Sequence, residues 1–215
     1  MLTKSLSQSW YLKLRKYCTD NQVTVNDVLL TTYFRVLSDV LDKRGEPLSI
    51  PIMIDMRRYL EDKREEALTN LSSTVIISTI VDPGEDFYHT LRKVHAQMEN
   101  KKERYLGLST FVKLDSLYKI LRRLSYCVLK NSLKNPTICM TNIGVIDSKK
   151  LKFEGTMVEN AYACGSIKYR PHFQIAVTSF SDTITVCLNL YGSRENQENF
   201  GKFLSLLEKE LYQIS

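Results

Sequence analysis

The stretch Val23-Thr24-Val25-Asn26-Asp27-Val28-Leu29-Leu30 marks the start of a long apolar helix, and the fold must be able to enclose it. Thr24 and Asp27 have capping-box spacing: the hydroxyl can accept from the backbone three residues on, and the carboxylate can return a bond to the Thr24 amide. Asp stands where Glu is more usual. Val23 and Val28 bracket the cap as a hydrophobic staple does. Behind them Val25, Val28, Leu29, Tyr33, Val36, Leu37, Val40 and Leu41 recur at helical spacing. Lys43-Arg44-Gly45 ends the pattern, so the helix is predicted over residues 25–43.

On either side, helical and strand patterns alternate irregularly. A helix is expected over residues 6–19, with Leu6, Trp10, Leu14, Tyr17 and Cys18 on one side. Leu48–Asp55 reads as a strand, and Pro51, which has no N–H to donate, points to an edge or a bulge. A charged segment over 57–68 leads to a second strand at Ser73–Val81, rich in β-branched residues. Asp82-Pro83-Gly84 is turn chemistry. A helix over 86–104 is expected to bury Phe87, Leu91, Val94 and Met98, and a helical region over 109–133 ends before Asn135-Pro136. The last third reads as short strands at Thr137–Thr141, Leu151–Phe153, Thr156–Ala163, Phe173–Phe180 and Thr183–Leu190, with Ser181-Asp182 as a hairpin turn. A helix over Glu195–Tyr212 closes the chain, with Phe200, Phe203, Leu204, Leu207 and Leu211 inward. Without a strict βαβ rhythm, this pattern predicts an α/β fold, a two-layer sandwich of a mixed β-sheet with packed helices.

At 215 residues the chain can bury a real core, and it reads as a single domain over 1–215. No apolar run approaches bilayer length and the N-terminus lacks the apolar core of a signal peptide, which together give a cytoplasmic expectation. The five cysteines are scattered, and none forms a C-x-x-C pair, which argues against both a disulfide framework and a zinc site. The net charge of +6 raises nucleic acid as a partner. Yet the main basic cluster, Lys119, Arg122, Arg123, Lys130 and Lys134, lies opposite Leu114, Leu117, Leu121, Leu124 and Val128. A solvated helix face accounts for it better, so nucleic acid is not the expected partner.

Catalytic chemistry is hard to find. His89 and His95 are six residues apart and do not share a helix face, so they make a poor metal pair. His172 sits between Pro171 and Phe173 at a strand entrance. No Gly-rich phosphate loop, G-x-S-x-G elbow or H-E-x-x-H motif occurs.

Several short segments nevertheless form an ordered series: Asn26-Asp27 with Val28-Leu29-Leu30, Asp55-Met56-Arg57, Asn70-Leu71-Ser72-Ser73, Thr141-Asn142-Ile143-Gly144, and Thr178-Ser179-Phe180-Ser181-Asp182. This series resembles the C-terminal half of the chloramphenicol-acetyltransferase-like, CoA-dependent acyltransferase superfamily, whose members include condensation domains, wax ester synthases and alcohol acyltransferases. In that family two similar halves flank a tunnel, and a His-His-x-x-x-Asp-Gly motif in the N-terminal half supplies the catalytic base. The motif is absent from this sequence. The resemblance therefore implies a C-terminal subdomain, forming one wall of the tunnel and inactive alone, partnered by an N-terminal half of the same protein. It implies a CoA or carrier-protein thioester as donor substrate, a small-molecule alcohol or amine as acyl acceptor, no tightly bound cofactor and no metal.

The resemblance also assigns residues. Thr141, Asn142 and Gly144 become candidate tunnel residues, either as oxyanion donors or as a strand-end turn in which Gly144 permits an unusual backbone angle. Asn26 and Asp27 are structural-motif residues that admit a helix cap with a buried hydrogen bond as readily as a substrate contact. Arg57 is expected to pair with a carboxylate such as Asp27. An exposed apolar face is expected where the other half docks. The alternative is a non-catalytic binding or interaction module that keeps the fold without the site.

Overall fold

The computed structural model describes residues 1–60, 71–105, 107, 108, 112, 115, 116, 118, 119, 137–151, 153–169 and 172–214. In chain order the elements are β1 (Leu2–Leu6), α1 (Gln8–Asp20), α2 (Val25–Val40), β2 (Pro47–Asp55), a 3₁₀ turn (Met56–Tyr59), β3 (Ser72–Ile80) and α3 (Phe87–Glu103). They continue with β4 (Ile138–Val145), a second 3₁₀ turn (Ser148–Lys150), β5 (Lys168–Tyr169), β6 (Phe173–Phe180), β7 (Thr183–Leu188), β8 (Leu190–Tyr191) and α4 (Arg194–Tyr212). Among the described residues six strands form one sheet in the order β1-β7-β6-β4-β2-β3, and β5 and β8 form a small parallel pair. The sheet is mixed: β2, β4 and β6 run parallel, while β3, β7 and β1 are antiparallel to their neighbours.

One face of the sheet carries the helices. Ile50, Ile52, Ile77, Met140, Ile175, Val177, Ile184 and Val186 alternate along the strands toward this face. They pack in one core with Trp10 and Leu14 of α1, the length of α2, Leu91, Val94 and Met98 of α3, and Phe203, Leu204, Leu207 and Leu211 of α4. This is the two-layer arrangement expected from the alternation of patterns. Helix α2 lies deepest, buried on nearly every side from Asp27 to Ser38. Its two internal threonines bond back to the preceding turn, Thr31 Oγ1 to the Asp27 carbonyl at 2.7 Å and Thr32 Oγ1 to the Val28 carbonyl at 3.0 Å, so neither hydroxyl is stranded. The fully buried Tyr33 ring meets Phe173 of β6 and Phe203 of α4 edge-on, tying three elements together.

Arg35 fastens α2 to two other helices. Its Nε pairs with Glu210 of α4, and its Nη1 donates to the Glu85 carbonyl at 2.9 Å and to Thr90 Oγ1 at 3.1 Å at the start of α3. The guanidinium also lies over the Phe87 ring.

The other face is unevenly covered. Over β6 and β7 it is buried: Gln174, Ala176, Thr178, Thr185 and Cys187 are all sequestered. Residues 161–167 form a strap against it. The Ala163 N–H donates to Thr178 Oγ1 at 3.1 Å, Asn189 Nδ2 donates to the Gly165 carbonyl at 2.8 Å, and Gly165 rests on the Gln174 side chain. Over β2 and β3 the same face is open, with Met53, Ile76 and Ile80 exposed, Ile76 to 55%. At the β3 edge the Gln97 amide takes both backbone groups of Ser78, donating to its carbonyl at 2.5 Å and accepting from its N–H at 3.2 Å. A side chain from α3 thus fills part of what is otherwise a free strand edge.

Several expectations change. The first helix starts at Gln8, because Leu2–Leu6 is spent on a strand and Leu6 is its last residue. Helix α2 ends at Val40, with Asp42 and Gly45 at positive φ beyond it, and Val40 and Leu41 are exposed. Strand β2 is interior, yet it holds Pro51: its pairing with β4 is confined to Ile52 opposite Met140, so few ladder bonds are asked of that side. Thr156–Ala163 is not a strand. Only an isolated bridge joins Phe153 and Thr156, and the following segment is anchored by side-chain bonds. The Ser181-Asp182 turn is as expected, with both residues at positive φ in a two-residue hairpin between β6 and β7. The charged segment from residue 61, most of the helical region over 109–133 and the basic cluster beyond Lys119 lie outside the described residues.

Candidate functional site at the carboxyl ends of the parallel strands

In open α/β sheets, ligands gather outside the carboxyl ends of the parallel strands. Here those ends belong to β2, β4 and β6, and the start of α2 faces the end of β4. The capping box forms as the spacing predicted: the Asp27 N–H donates to Thr24 Oγ1 at 3.1 Å, and the Thr24 N–H donates to Asp27 Oδ2 at 2.9 Å. This fixes the first turn of α2 and holds Asn26 at its second position. The Asn142 side chain then reaches across from β4, its Nδ2 donating to Asn26 Oδ1 at 3.3 Å, while its Oδ1 accepts from the Gly144 N–H at 2.9 Å. Two segments far apart in the sequence meet through these side chains.

The corner is a β-bulge. The register between β4 and β6 shifts between Asn142 and Gly144, and Gly144 adopts φ 84°. Ile143 is the extra residue, and its side chain stands 52% exposed. A Cβ added at Gly144 meets no atom within 4 Å, so only backbone strain opposes a larger residue. Gly144→Ala is therefore expected to cost about 1 kcal/mol, and Gly144→Asn clearly less, since Asn tolerates the left-handed region. Urea denaturation of the two variants checks this ordering.

The corner does not gather every expected residue. Thr141 points to the opposite face of the sheet from Asn142, and its neighbour across the pair with β6 is Ala176. Arg57 lies in the 3₁₀ turn after β2, where its N–H caps onto Asp55 Oδ1 at 3.0 Å and its Nη1 approaches the same oxygen at 3.4 Å. Asp27 is not its partner. The Asp27 carboxylate is fully buried, and its Oδ2 instead meets His95 Nδ1 of α3 at 2.9 Å. Asn70 lies outside the described residues.

His95 is the site residue that motif reading missed. Its side chain is 17% exposed and lies in the stripe Leu91, Val94, Met98 that α3 buries. A polar residue at i+4 in such a stripe has to find a partner, and the buried acid of the capping box supplies it. The negative charge also falls on Cys18 of α1: burial, and then Asp27, push that thiol up to about 11. The His95 ring is thus oriented by a carboxylate, while Asp27 Oδ1 has no hydrogen-bond partner. Among the described residues no three His, Cys, Asp or Glu side chains cluster as a metal site. No helix among them is long and apolar enough to cross a membrane.

Residues 68–215 match the family model described as the WS/DGAT C-terminal domain. The chain belongs to this family. No curated protein sequence is close enough to this domain to count as a relative. Solved structures agree on the fold. The domain is similar to the wax ester synthase/diacylglycerol acyltransferase from Marinobacter aquaeolei VT8, at 18% identity and a TM-score of 0.58 over 99% of this chain and 47% of that one. It is also similar to the trichothecene 15-O-acetyltransferase from Fusarium sporotrichioides, at 13% identity and a TM-score of 0.67 over 99% and 46% of the two chains. A third similar structure is the epimerization domain from the third module of tyrocidine synthetase B, at 16% identity and a TM-score of 0.63 over 99% and 47%. The domain thus spans about half the length of the structures it matches. The condensation-domain and acyltransferase fold expected from the motif series is the fold of this domain.

Proposed function

We propose that this domain is the C-terminal half of an acyltransferase that moves an acyl group from a CoA or carrier-protein thioester to an alcohol or amine acceptor. It forms one wall of the active-site tunnel, and the N-terminal half of the same protein brings the base. The observation that carries this reading is the junction of Asn26, Asn142 and Gly144 at the end of β4, in a chain whose family is the WS/DGAT C-terminal domain. The name of one similar structure, a wax ester synthase/diacylglycerol acyltransferase, supports an alcohol among these acceptors.

The geometry refines the roles. Asn142 spends its carbonyl on Gly144 and an amide hydrogen on Asn26, so it shapes the corner more than it serves as an oxyanion donor. Thr141, buried on the other face of the sheet, stands away from this corner. The open apolar face of β2 and β3, with Met53, Ile76 and Ile80, is the surface the N-terminal half covers in this reading.

The test is a turnover assay of the isolated chain with labelled acyl-CoA and a fatty alcohol, beside the native polypeptide from its source cell. The expected result is no transfer by the isolated chain and transfer by a native product that carries a His-His-x-x-x-Asp-Gly motif ahead of residue 1. In that product Asn142→Ala should lower kcat/KM by about 10-fold or more through misplacement of the corner. Turnover by the isolated chain that disappears in His172→Ala would place the base here and overturn this division of labour. A native product without transfer, and without thioester binding in calorimetry, would favour a non-catalytic binding module.

A further inference from the structure

The strap over residues 161–167 crosses β6 beside the strand that carries Cys187, and it brings a second cysteine, Cys164, to that place. Cys187 lies on β7, opposite Ala176 of β6 and Thr3 of β1, and is 1% exposed. Its side chain shares a face with Thr185, whose hydroxyl meets Ser5 Oγ at 3.1 Å, because Ile184, Val186 and Leu188 turn toward the helices. That is the strap's face. Cys164 sits between the two strap anchors, the Ala163 N–H on Thr178 Oγ1 and the Gly165 carbonyl under Asn189 Nδ2. Cys164 is exposed and its Sγ contacts Met1 Sδ at 3.2 Å, while the strap's contacts with Thr178 and Gln174, on either side of Ala176, carry it across the register partner of Cys187. One cysteine is open to solvent, the other is sealed in the sheet, and the chain on both sides of the first is fixed to that sheet.

We propose that Cys164 and Cys187 form an oxidisable pair whose disulfide clamps the 161–167 strap onto the sheet. The oxidant is a low-molecular-weight disulfide such as oxidised glutathione. The Cys164 thiolate attacks its S–S bond, forming a mixed disulfide and releasing one glutathione thiolate. The Cys187 thiolate then attacks the Cys164 sulfur, closing the Cys164–Cys187 bond and releasing the second glutathione. The protein loses two protons and two electrons, and the oxidant gains them. Burial and the neighbouring thiol push Cys187 up to about 12, so the second step is slow at neutral pH and accelerates as pH rises. The clamp borders the site corner, since Thr178, which holds the strap, is the register partner of Gly144. The inference does not depend on the acyl-transfer reading.

The experiment incubates the chain with oxidised glutathione at several pH values, quenches with acid, alkylates under denaturing conditions and maps the peptides by mass spectrometry. The expected result is a cross-linked Cys164–Cys187 peptide, formed faster at higher pH and removed by dithiothreitol. The oxidised chain should melt several degrees higher and resist proteolysis within the strap. Cys164→Ser, a substitution at an exposed position, should fold normally and lose both the cross-link and the gain in melting temperature. A reaction that stops at glutathionylated Cys164, a cross-link to a different cysteine, or no cross-link at any pH overturns the proposal.

Discussion

Replacing Arg35 with alanine is expected to cost about 3–5 kcal/mol of folding stability, the range for breaking a largely buried pair from one side. The side chain is 12% exposed and its partner Glu210 17%, so the abandoned carboxylate has little water to turn to. The same substitution strands the Glu85 carbonyl and the Thr90 hydroxyl and removes the cation over Phe87. Arg35→Lys keeps the charge but not the planar fork that serves Glu210 and the start of α3 together, so an intermediate loss is expected. Urea unfolding of the three proteins, compared at unchanged m, measures both steps. A loss below about 1 kcal/mol for the alanine variant would mean that the cluster behaves as a surface ion pair and does not hold α3 and α4 to α2.

Asp27→Ala is the second large effect, at about 2–4 kcal/mol. The capping box accounts for about 1 kcal/mol of it. The rest comes from leaving the Thr24 N–H and His95 Nδ1 without their acceptor in a region that excludes water. Thr24→Ala, which breaks only one side of the box, should cost about 1 kcal/mol and serves as the reference. A double-mutant cycle with His95→Ala isolates the contribution of the acid–imidazole contact. If Asp27→Ala costs no more than Thr24→Ala, the His95 contact contributes nothing and Asp27 acts as a cap alone. Amide exchange across Val28–Leu30 should quicken in Asp27→Ala, because the first turn of α2 loses its fixed end.

What the sequence revealed and what it hid divide along one physical line. Local chemistry was legible. The Thr24–Asp27 box, the Ser181-Asp182 hairpin and the inward faces of α3 and α4 depend on residues a few positions apart, and each formed as its spacing required. The series of short motifs also led to the right family, because it sampled several elements in order. Tertiary pairing was not legible. Pro51 looked like an edge residue, since nothing local reveals that the strand beside it pairs at only one register. The carboxylate assigned to Arg57 went to His95, 68 residues from Asp27. The stretch Thr156–Ala163 had strand composition, yet its backbone is held by the Thr178 hydroxyl and not by a neighbouring strand. Asn142 and Gly144 meet at one bulge, whereas Thr141 turns to the opposite face through the alternation that any strand imposes.

The first strand of the sheet has a consequence for how the molecule is made. Among the described residues the backbone of Leu2 through Leu6 pairs with β7 alone, with Leu2 opposite Leu188 and Leu6 opposite Ile184. During synthesis β1 therefore leaves the ribosome long before its partner exists. Until β7 follows, its backbone groups are left to water or to other chains. The deep helix α2 also waits, because Tyr33 closes on rings from β6 and α4. The sheet is completed from its last-made strands back to its first, so folding is governed by the most distant contacts in the chain. Until that closure β1 presents an unpaired edge of the kind that favours aggregation.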